Sequence, residues 1–426
     1  MTVSFYNLGC KVNAYETEYL INEFKKKGYK IVDFNDNADI YIINTCTVTN
    51  QADQKSRKVI RNACKNKDAI IVVMGCYSQI HSEVIKDIDG VNIIIGNNEK
   101  NKVVELVENY INDKENYYNV HNLINSSFDD MYIDNFENHT RAFVKIQDGC
   151  NNYCSYCIIP YSRGNVRSKK LEYVIDEVKS LVKNGYKEVV LTGIHTGHYG
   201  QDLKKYDFSD LLMKLEEIDG LERIRISSIE IVELTDKFLD VLKKSKKIVD
   251  HIHIPLQSGC DKILKLMNRR YDMNFYIDRI NMIRKIRPNI AITTDVIVGF
   301  PNEDNNDFNI TKENIKNIGF TELHVFPYSK REGTKASTMP NQVDGNIKKE
   351  RVKELIELSK ELKNNYYTKY INKEDYVLCE TIEDNYVIGH LSNYGKVKFT
   401  GNKSDLNKLI KVKLIDYVND YYIAEK

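Results

Sequence analysis

The chain has 426 residues, and its 62 Lys and Arg balance 61 Asp and Glu to a formal net charge of +1 at pH 7. Bulk charge therefore argues neither for nor against a polyanionic partner and leaves any nucleic-acid contact to local patches, while the length provides for about two to four domains. No run of ~18 uninterrupted apolar residues marks a membrane span, and the opening Met1-Thr2-Val3-Ser4-Phe5-Tyr6 has no basic segment leading into an apolar one, so a cytoplasmic protein is expected.

Residues 3–8 read as a strand and Lys11 to Lys27 as a helix closed by Gly28. Apolar strands recur at Ile40–Ile43, Ile70–Met74 and Val91–Ile95, with helical stretches at about Val48–Lys65, Gln79–Lys86 and Lys100–Ile111. This alternation predicts an α/β domain over residues 1–113, built on a doubly wound parallel sheet. The chain holds nine cysteines, a number that in this setting points to metal ligands rather than disulfides. Three of them lie just past strand ends: Cys10 in LGCKVN, Cys46 in NTCTVT and Cys76 in MGCYSQ. Ligand sites in open α/β sheets collect at the carboxyl ends of the strands, so these thiols are expected to converge on one edge and to suit an iron–sulfur cluster. A lone cysteine in such a place is more often a small buried hydrophobe, which is the reading for Cys64, Cys260 and Cys379.

Residues 114–140 are polar, rich in Asn and Asp and without period, and read as a linker or loosely packed bridge. A second α/β pattern begins at Arg141, with strands at Ala142–Gln147, Glu188–Leu191, Arg223–Ile226, His251–Ile254, Ala291–Val296 and Glu322–Val325. Repeated βα units over 141–366 predict a partial or full barrel with chemistry at the C-terminal ends of its strands. The first strand runs into Gly149-Cys150-Asn151-Asn152-Tyr153-Cys154-Ser155-Tyr156-Cys157. This C-x3-C-x2-C loop offers three thiolates to a cubane cluster and leaves the fourth iron open to a small molecule. A zinc knuckle is the alternative, with His139, His195 or a distant cysteine as fourth ligand, although a structural zinc site is normally closed by four protein ligands. Small polar residues follow the later strands, as in Thr192-Gly193-Ile194-His195, Ser227-Ser228-Ile229-Glu230, Pro255-Leu256-Gln257-Ser258-Gly259 and the segment Thr294–Pro301. Each reads equally as a simple turn or as room for a bulky zwitterionic cofactor.

A helix of about Lys348–Tyr366 carries Val352, Leu355, Leu358 and Leu362 on one stripe, a packing face. Residues 367–426 change to short alternating strands, at Tyr376–Glu380, Tyr386–His390, Lys396–Phe399, Leu409–Ile415 and Tyr421–Ala424, which predict a small antiparallel barrel. Alternation places Lys396 with Lys398, and Lys411 with Lys413, on an outward face opposite Val397 and Val412. That face reads as an RNA-backbone contact or as a solvated lysine face. The segment Lys55–Arg61 on the first-domain helix has the same two readings.

Together these motifs resemble the radical-SAM methylthiotransferases, enzymes that use S-adenosylmethionine (SAM), and the likeness spans essentially the whole chain. FYNLGCKVNAYETE, IQDGCNNYCSYCIIPYSRG and HVFPYSKREGTKA look most like the branch that methylthiolates C2 of N6-threonylcarbamoyladenosine beside the tRNA anticodon. The branch acting on isopentenyladenosine typically opens with a GCQMN-like sequence and the one acting on a ribosomal-protein aspartate with a CxKN-like one; Cys10-Lys11-Val12-Asn13 fits neither well. The resemblance implies two 4Fe–4S clusters and SAM as cofactors. Cys150, Cys154 and Cys157 would hold the cluster that binds and cleaves SAM, and Cys10, Cys46 and Cys76 the auxiliary one. Thr192, Gly193, Ser228 and Glu230 would contact SAM, and a TRAM-like terminal barrel would bring Lys396, Lys398, Lys411 and Lys413 to RNA. The tRNA anticodon stem-loop would be the substrate and a flavodoxin- or ferredoxin-type protein the reductant. Two other readings remain: a methylthiotransferase of a sister branch, or a non-catalytic RNA-binding protein stabilised by a metal.

Overall fold

The computed structural model describes residues 1–124, 126–136 and 140–426; His139, weighed as a zinc partner, lies outside the described residues. The N-terminal sheet is six-stranded, from β1 (Thr2–Asn7), β2 (Lys30–Val32), β3 (Ile40–Thr45), β4 (Ile70–Gly75), β5 (Ile93–Ile95) and β6 (Tyr117–Asn119). Its order is β2-β1-β3-β4-β5-β6, and every pairing is parallel. The runs IYIINT and IIVVMG are buried along their whole length because both faces are covered, as parallel sheets require. Val3, Ile42 and Val72 pack under Leu20 and Phe24 of the helix Lys11–Lys26. Ile43, Ile71 and Val73 pack under Val59 and Ile60 of the helix Asn50–Ala63. The single helix expected over 79–86 is two, Cys76–Ile80 and Ser82–Lys86, broken at the non-helical His81.

The described residues of the 114–140 stretch are less loose than their composition implies. They supply β6 to the sheet, and their Met131, Ile133 and Phe136 are buried in the core of the central domain. These apolar residues fill separate notches without a repeating period, so periodicity has nothing to register.

The central domain holds β7 (Arg141–Lys145), β8 (Gln147–Asp148), β9 (Arg167–Ser168), β10 (Glu188–Thr192), β11 (Arg223–Ile226), β12 (His251–His253), β13 (Ala291–Val298) and β14 (Glu322–Pro327). Two three-stranded parallel sheets, β11-β10-β7 and β12-β13-β14, are joined by bridges at Ile224–Ile248 and Ser228–His253. The result is an incomplete barrel with β7 and β14 as its open edges. Ala142, Val144, Val189, Leu191, Ile224, Ile226, Ile252 and Ile292 join the core under the helices. The pleat turns the alternate residues, Arg141, Glu188, Arg225, His251, His253, Asp295 and His324 among them, toward the interior. The helix Gly345–Tyr367 lays Leu355 and Leu358 into this core with Val352 and Leu362 against it. Leu355→Ala is expected to cost about 2–5 kcal/mol, read as a lowered urea midpoint at unchanged m-value.

The C-terminal strands β15 (Glu374–Glu383), β16 (Tyr386–His390), β17 (Lys396–Thr400), β18 (Leu409–Val418) and β19 (Tyr421–Glu425) close into a barrel of order β15-β16-β17-β19-β18. Val377, Cys379, Val387, Val397, Phe399, Val412 and Tyr422 fill it. It docks on the N-terminal ends of the central strands: Arg223 donates to the carbonyls of His390 at 3.0 Å and Tyr376 at 2.6 Å. The Tyr394 ring stacks on both His251 and His390, each at 5.0 Å between centroids. Among the described residues no helix is long and apolar enough to cross a membrane.

Candidate active site

The loop after β8 turns at Gly149, whose φ of +73° and 1.9 Å approach of a notional Cβ to the Asn165 carbonyl leave no room for another residue. Beyond it, Cys150, Cys154 and Cys157 lie close enough that Cys154 raises the pKa of both other thiols. Burial is the larger cause and pushes Cys150 up to about 12. Arg269 donates from Nη1 to Cys154 Sγ at 3.3 Å and pairs with Glu230 Oε1 at 2.7 Å. Burial alone would raise the Glu230 carboxyl; the hydrogen bond from His195 and the charge of Arg269 outweigh it and hold it at about 2. A permanent cation and a permanent anion therefore stand beside the three thiols. His195 Nε2 stands 3.5 Å from Glu230 Oε1 and 3.4 Å from Asn152 Nδ2, while its Nδ1 has no hydrogen-bond partner among the described residues.

Cys10, Cys46 and Cys76 follow β1, β3 and β4, and the structure brings them together: Cys10 and Cys76 each raise the Cys46 pKa, with burial the main cause, to about 11. Gly75 sets the last of them, because its φ is +102° and a Cβ there would lie 2.5 Å from the Thr45 carbonyl. A Cβ at Gly9 would likewise meet Cys46 Sγ at 3.0 Å.

Arg163 joins the two sets. It ends the short helix Ile159–Arg163 that follows Cys157, and its Nε donates to Cys76 Sγ at 3.2 Å. Its Nη1 reaches Glu16 Oε1 and Asp148 Oδ2, each at 3.0 Å, and Nη2 donates to Asn13 Oδ1. Lys145 pairs with both carboxylates at 2.8 Å, Lys100 pairs with Glu16, and Arg167 stands 3.7 Å from Asp148. Asn97 bridges Cys76 Sγ, at 3.3 Å, to the Ser162 carbonyl, at 2.7 Å. Within this wholly buried set Lys100, Lys145, Arg163 and Arg167 face only Glu16 and Asp148 as formal anions. Even with the half-buried Asp129 at its edge, positive charge is in surplus against Cys76. Neutral thiols cannot balance it, whereas thiolates on a cluster can. The donor set and its surroundings fit a 4Fe–4S group at each three-cysteine site.

Thr192, Gly193 and Ser228 lie at the C-terminal ends of β10 and β11, beside the cysteine loop through Gln147, which accepts from the His195 N–H at 2.8 Å. Thr192 Oγ1 is 3.1 Å from the Val190 carbonyl, the Ser228 carbonyl accepts from Thr196, and bare Gly193 stands over Gln147. Cys64 ends the helix Asn50–Ala63, Cys260 faces Asp307 at 3.4 Å, and Cys379 sits inside the terminal barrel; none approaches either set among the described contacts. Lys396 and Lys398 point out of β17 over Tyr421 and Tyr386, at 5.5 and 4.4 Å. Lys411 pairs with Glu374 at 2.6 Å, and Lys413 is exposed beside it. On the first domain Lys55, Lys58 and Arg61 are exposed, while Arg57 binds Tyr77. A cavity of about 960 Å³ lies away from the cysteines, between the central strands' N-terminal ends and the terminal barrel, with Lys187, Lys246, Lys247, Arg287 and Lys408 in its wall. Sequence reasoning quoted Arg163 within IQDGCNNYCSYCIIPYSRG without a role for it and did not single out Arg269. The signal for Arg163 was only an unexplained Arg a few residues after a cysteine loop, and Arg269, beyond the helix Asp261–Leu266, carried none.

The profile of the radical SAM superfamily matches residues 144–315, and that of the uncharacterized protein family UPF0004 matches residues 2–96. The threonylcarbamoyladenosine tRNA methylthiotransferase MtaB of Bacillus subtilis is 47% identical over 97% of this chain and 94% of its own. A tRNA-2-methylthio-N(6)-dimethylallyladenosine synthase of Clostridium botulinum is 36% identical over 96% of this chain and 93% of its own. Among solved structures, the radical SAM methyltransferase TsrM of Kitasatospora setae shares the fold, with a TM-score of 0.60 at 14% identity, covering 79% of this chain and 76% of that one. On the length and degree of these matches the chain belongs to the radical-SAM methylthiotransferase family.

Proposed function

We propose that the protein converts N6-threonylcarbamoyladenosine beside the anticodon of tRNA to its 2-methylthio derivative. The observation that carries this reading is Arg163, which reaches from the Cys150–Cys157 loop to Cys76 and so couples two three-cysteine centres in one site. As a member of its family the protein uses two 4Fe–4S clusters and SAM. In this reading Cys150, Cys154 and Cys157 hold the cluster that takes SAM, and Cys10, Cys46 and Cys76 hold the second. Bound there, the cofactors supply the one-electron chemistry that the unactivated C2–H bond of adenine demands, along with the transferred sulfur and methyl group.

The chain's own residues bind and orient. Arg269 and Glu230 offer a fixed cation and anion to the zwitterionic end of SAM, while Thr192, Gly193 and Ser228 let it approach the strand ends. Residues 1–113 act as the auxiliary-cluster domain, 114–140 as the connection, 141–366 as the radical-SAM barrel and 367–426 as the RNA-binding domain. On that last domain the lysine–aromatic pairs Lys396–Tyr421 and Lys398–Tyr386 suit an RNA backbone with unstacked bases, and Lys411 and Lys413 extend the patch. A flavodoxin- or ferredoxin-type protein supplies electrons. The greater identity to the relative named for threonylcarbamoyladenosine than to the one named for dimethylallyladenosine, 47% against 36%, supports the choice of base.

The test is nucleoside mass spectrometry on tRNA treated with anaerobically reconstituted enzyme, SAM and reductant. A mass gain on threonylcarbamoyladenosine, absent from isopentenyladenosine, is the expected result. The reverse pattern overturns the choice of base, and a zinc protein without iron overturns the activity.

A further inference from the structure

The interior of the central barrel is lined with charge, and almost all of it is spent within the protein. Arg225 pairs with Glu188 at 2.7 Å and Arg223 stands 3.7 Å from the same carboxylate. Arg141 pairs with Glu380 at 3.2 Å and Lys363 with Glu322 at 3.1 Å. Asp295 lies between His253, at 3.3 Å, and His324, at 3.5 Å.

Among the described residues, His251 Nδ1 is left without a partner, and so are two cationic groups. Lys11 has an exposed side chain and, among the described residues, neither a hydrogen bond nor an ion pair, yet it feels Arg141, Glu188, Arg225 and Tyr394 and in turn acts on His251 and His324. The exposed Lys11 thus reaches in among the charged residues of the barrel. The second is Nη1 of Arg225: the residue is only 2% exposed, and this nitrogen has no acceptor.

Resting on the function proposed above, we infer that Lys11 and Arg225 Nη1, with His324 at the rim, form the pocket that recognises the carboxylate of the threonylcarbamoyl group. Lys11 adjoins Cys10, so a base presented to the auxiliary centre carries its N6 substituent toward this cation. A carboxylate satisfies both unspent groups with charge-assisted hydrogen bonds. A neutral alkyl substituent satisfies neither and leaves a buried N–H unpaired, the arrangement that gives strong rejection of an analogue. Lys11 is thus a specificity-determining residue whose function is separable from cluster binding.

The experiment measures binding of holoenzyme, by fluorescence anisotropy, to anticodon stem-loop RNAs bearing threonylcarbamoyladenosine, its carboxyl methyl ester or isopentenyladenosine. Wild type is expected to prefer the free acid over the ester by about tenfold or more, the scale of one charge-assisted contact. Lys11→Gln is expected to erase that preference and Lys11→Arg to keep it, with equal iron content in both. His324→Gln, at an exposed position, carries the test if Lys11→Gln loses iron, and is expected to narrow the preference. Equal wild-type affinity for acid and ester overturns the pocket and points to an RNA phosphate as the partner of Lys11. Full discrimination by Lys11→Gln, or by His324→Gln where that variant stands in, overturns it too. The proposed function fails separately, if wild type methylthiolates the isopentenyl RNA and leaves the threonylcarbamoyl RNA unchanged.

Discussion

Replacing Cys150, Cys154 and Cys157 together by Ala is expected to abolish turnover and to lower iron from about eight to about four per chain, the content of two cubanes and of one. The two figures separate the centres. Cys10, Cys46 and Cys76 come from three strand ends of the N-terminal sheet, and among the described residues none of the strand pairings that place them runs through the Cys150–Cys157 loop. The variant should therefore keep one cluster, visible by absorbance and by sulfide counting, while losing all reductive cleavage of SAM. Four irons in wild type and none in the variant would leave a single-cluster enzyme and overturn the proposed second cluster at Cys10, Cys46 and Cys76.

Arg163→Met is expected to be the most damaging single substitution outside the cysteines, at about 3–5 kcal/mol, the cost of breaking a buried ion pair from one side. The side chain is fully buried and binds Glu16, Asp148, Asn13 and Cys76 at once. Met fills similar volume, so the loss reports charge and hydrogen bonding rather than a cavity. A double variant with Glu16→Gln should recover part of the loss in anaerobic denaturant titrations, since contacting residues are not additive. Additive losses from the two changes would mean that Arg163 and Glu16 do not act as a pair.

Much of this architecture was readable in advance because its signals are local and periodic. The strands at 40 and 70 announce themselves as apolar runs and those at 223 and 322 as apolar–polar alternation between helical stretches, and the outward lysines of β17 alternate with the buried Val397. The cysteine positions were legible because topology alone sends strand ends to one edge. The linker's buried Met131, Ile133 and Phe136 were not, since an irregular segment packs residue by residue. Nor was the ion network around Arg163, whose members lie up to 150 residues apart and look like ordinary surface charges until the two domains meet. The interior charges of the barrel were hidden in the same way: Arg225 and His324 alternate with core residues and read as the solvent face of a strand.

The spacing of the Glu16 network along the chain also imposes a timetable. Glu16 is completely buried, yet Lys145 and Arg163 lie 129 and 147 residues further on. At roughly 5–20 residues per second of synthesis, the carboxylate waits about 7 to 30 s for these partners after it is made. Through the first part of that delay it lacks even Lys100, 84 residues downstream. The N-terminal sheet therefore cannot seal its charged face as it leaves the ribosome. Water remains at that face, and Cys76 stays open until the barrel arrives with Arg163 to cover it.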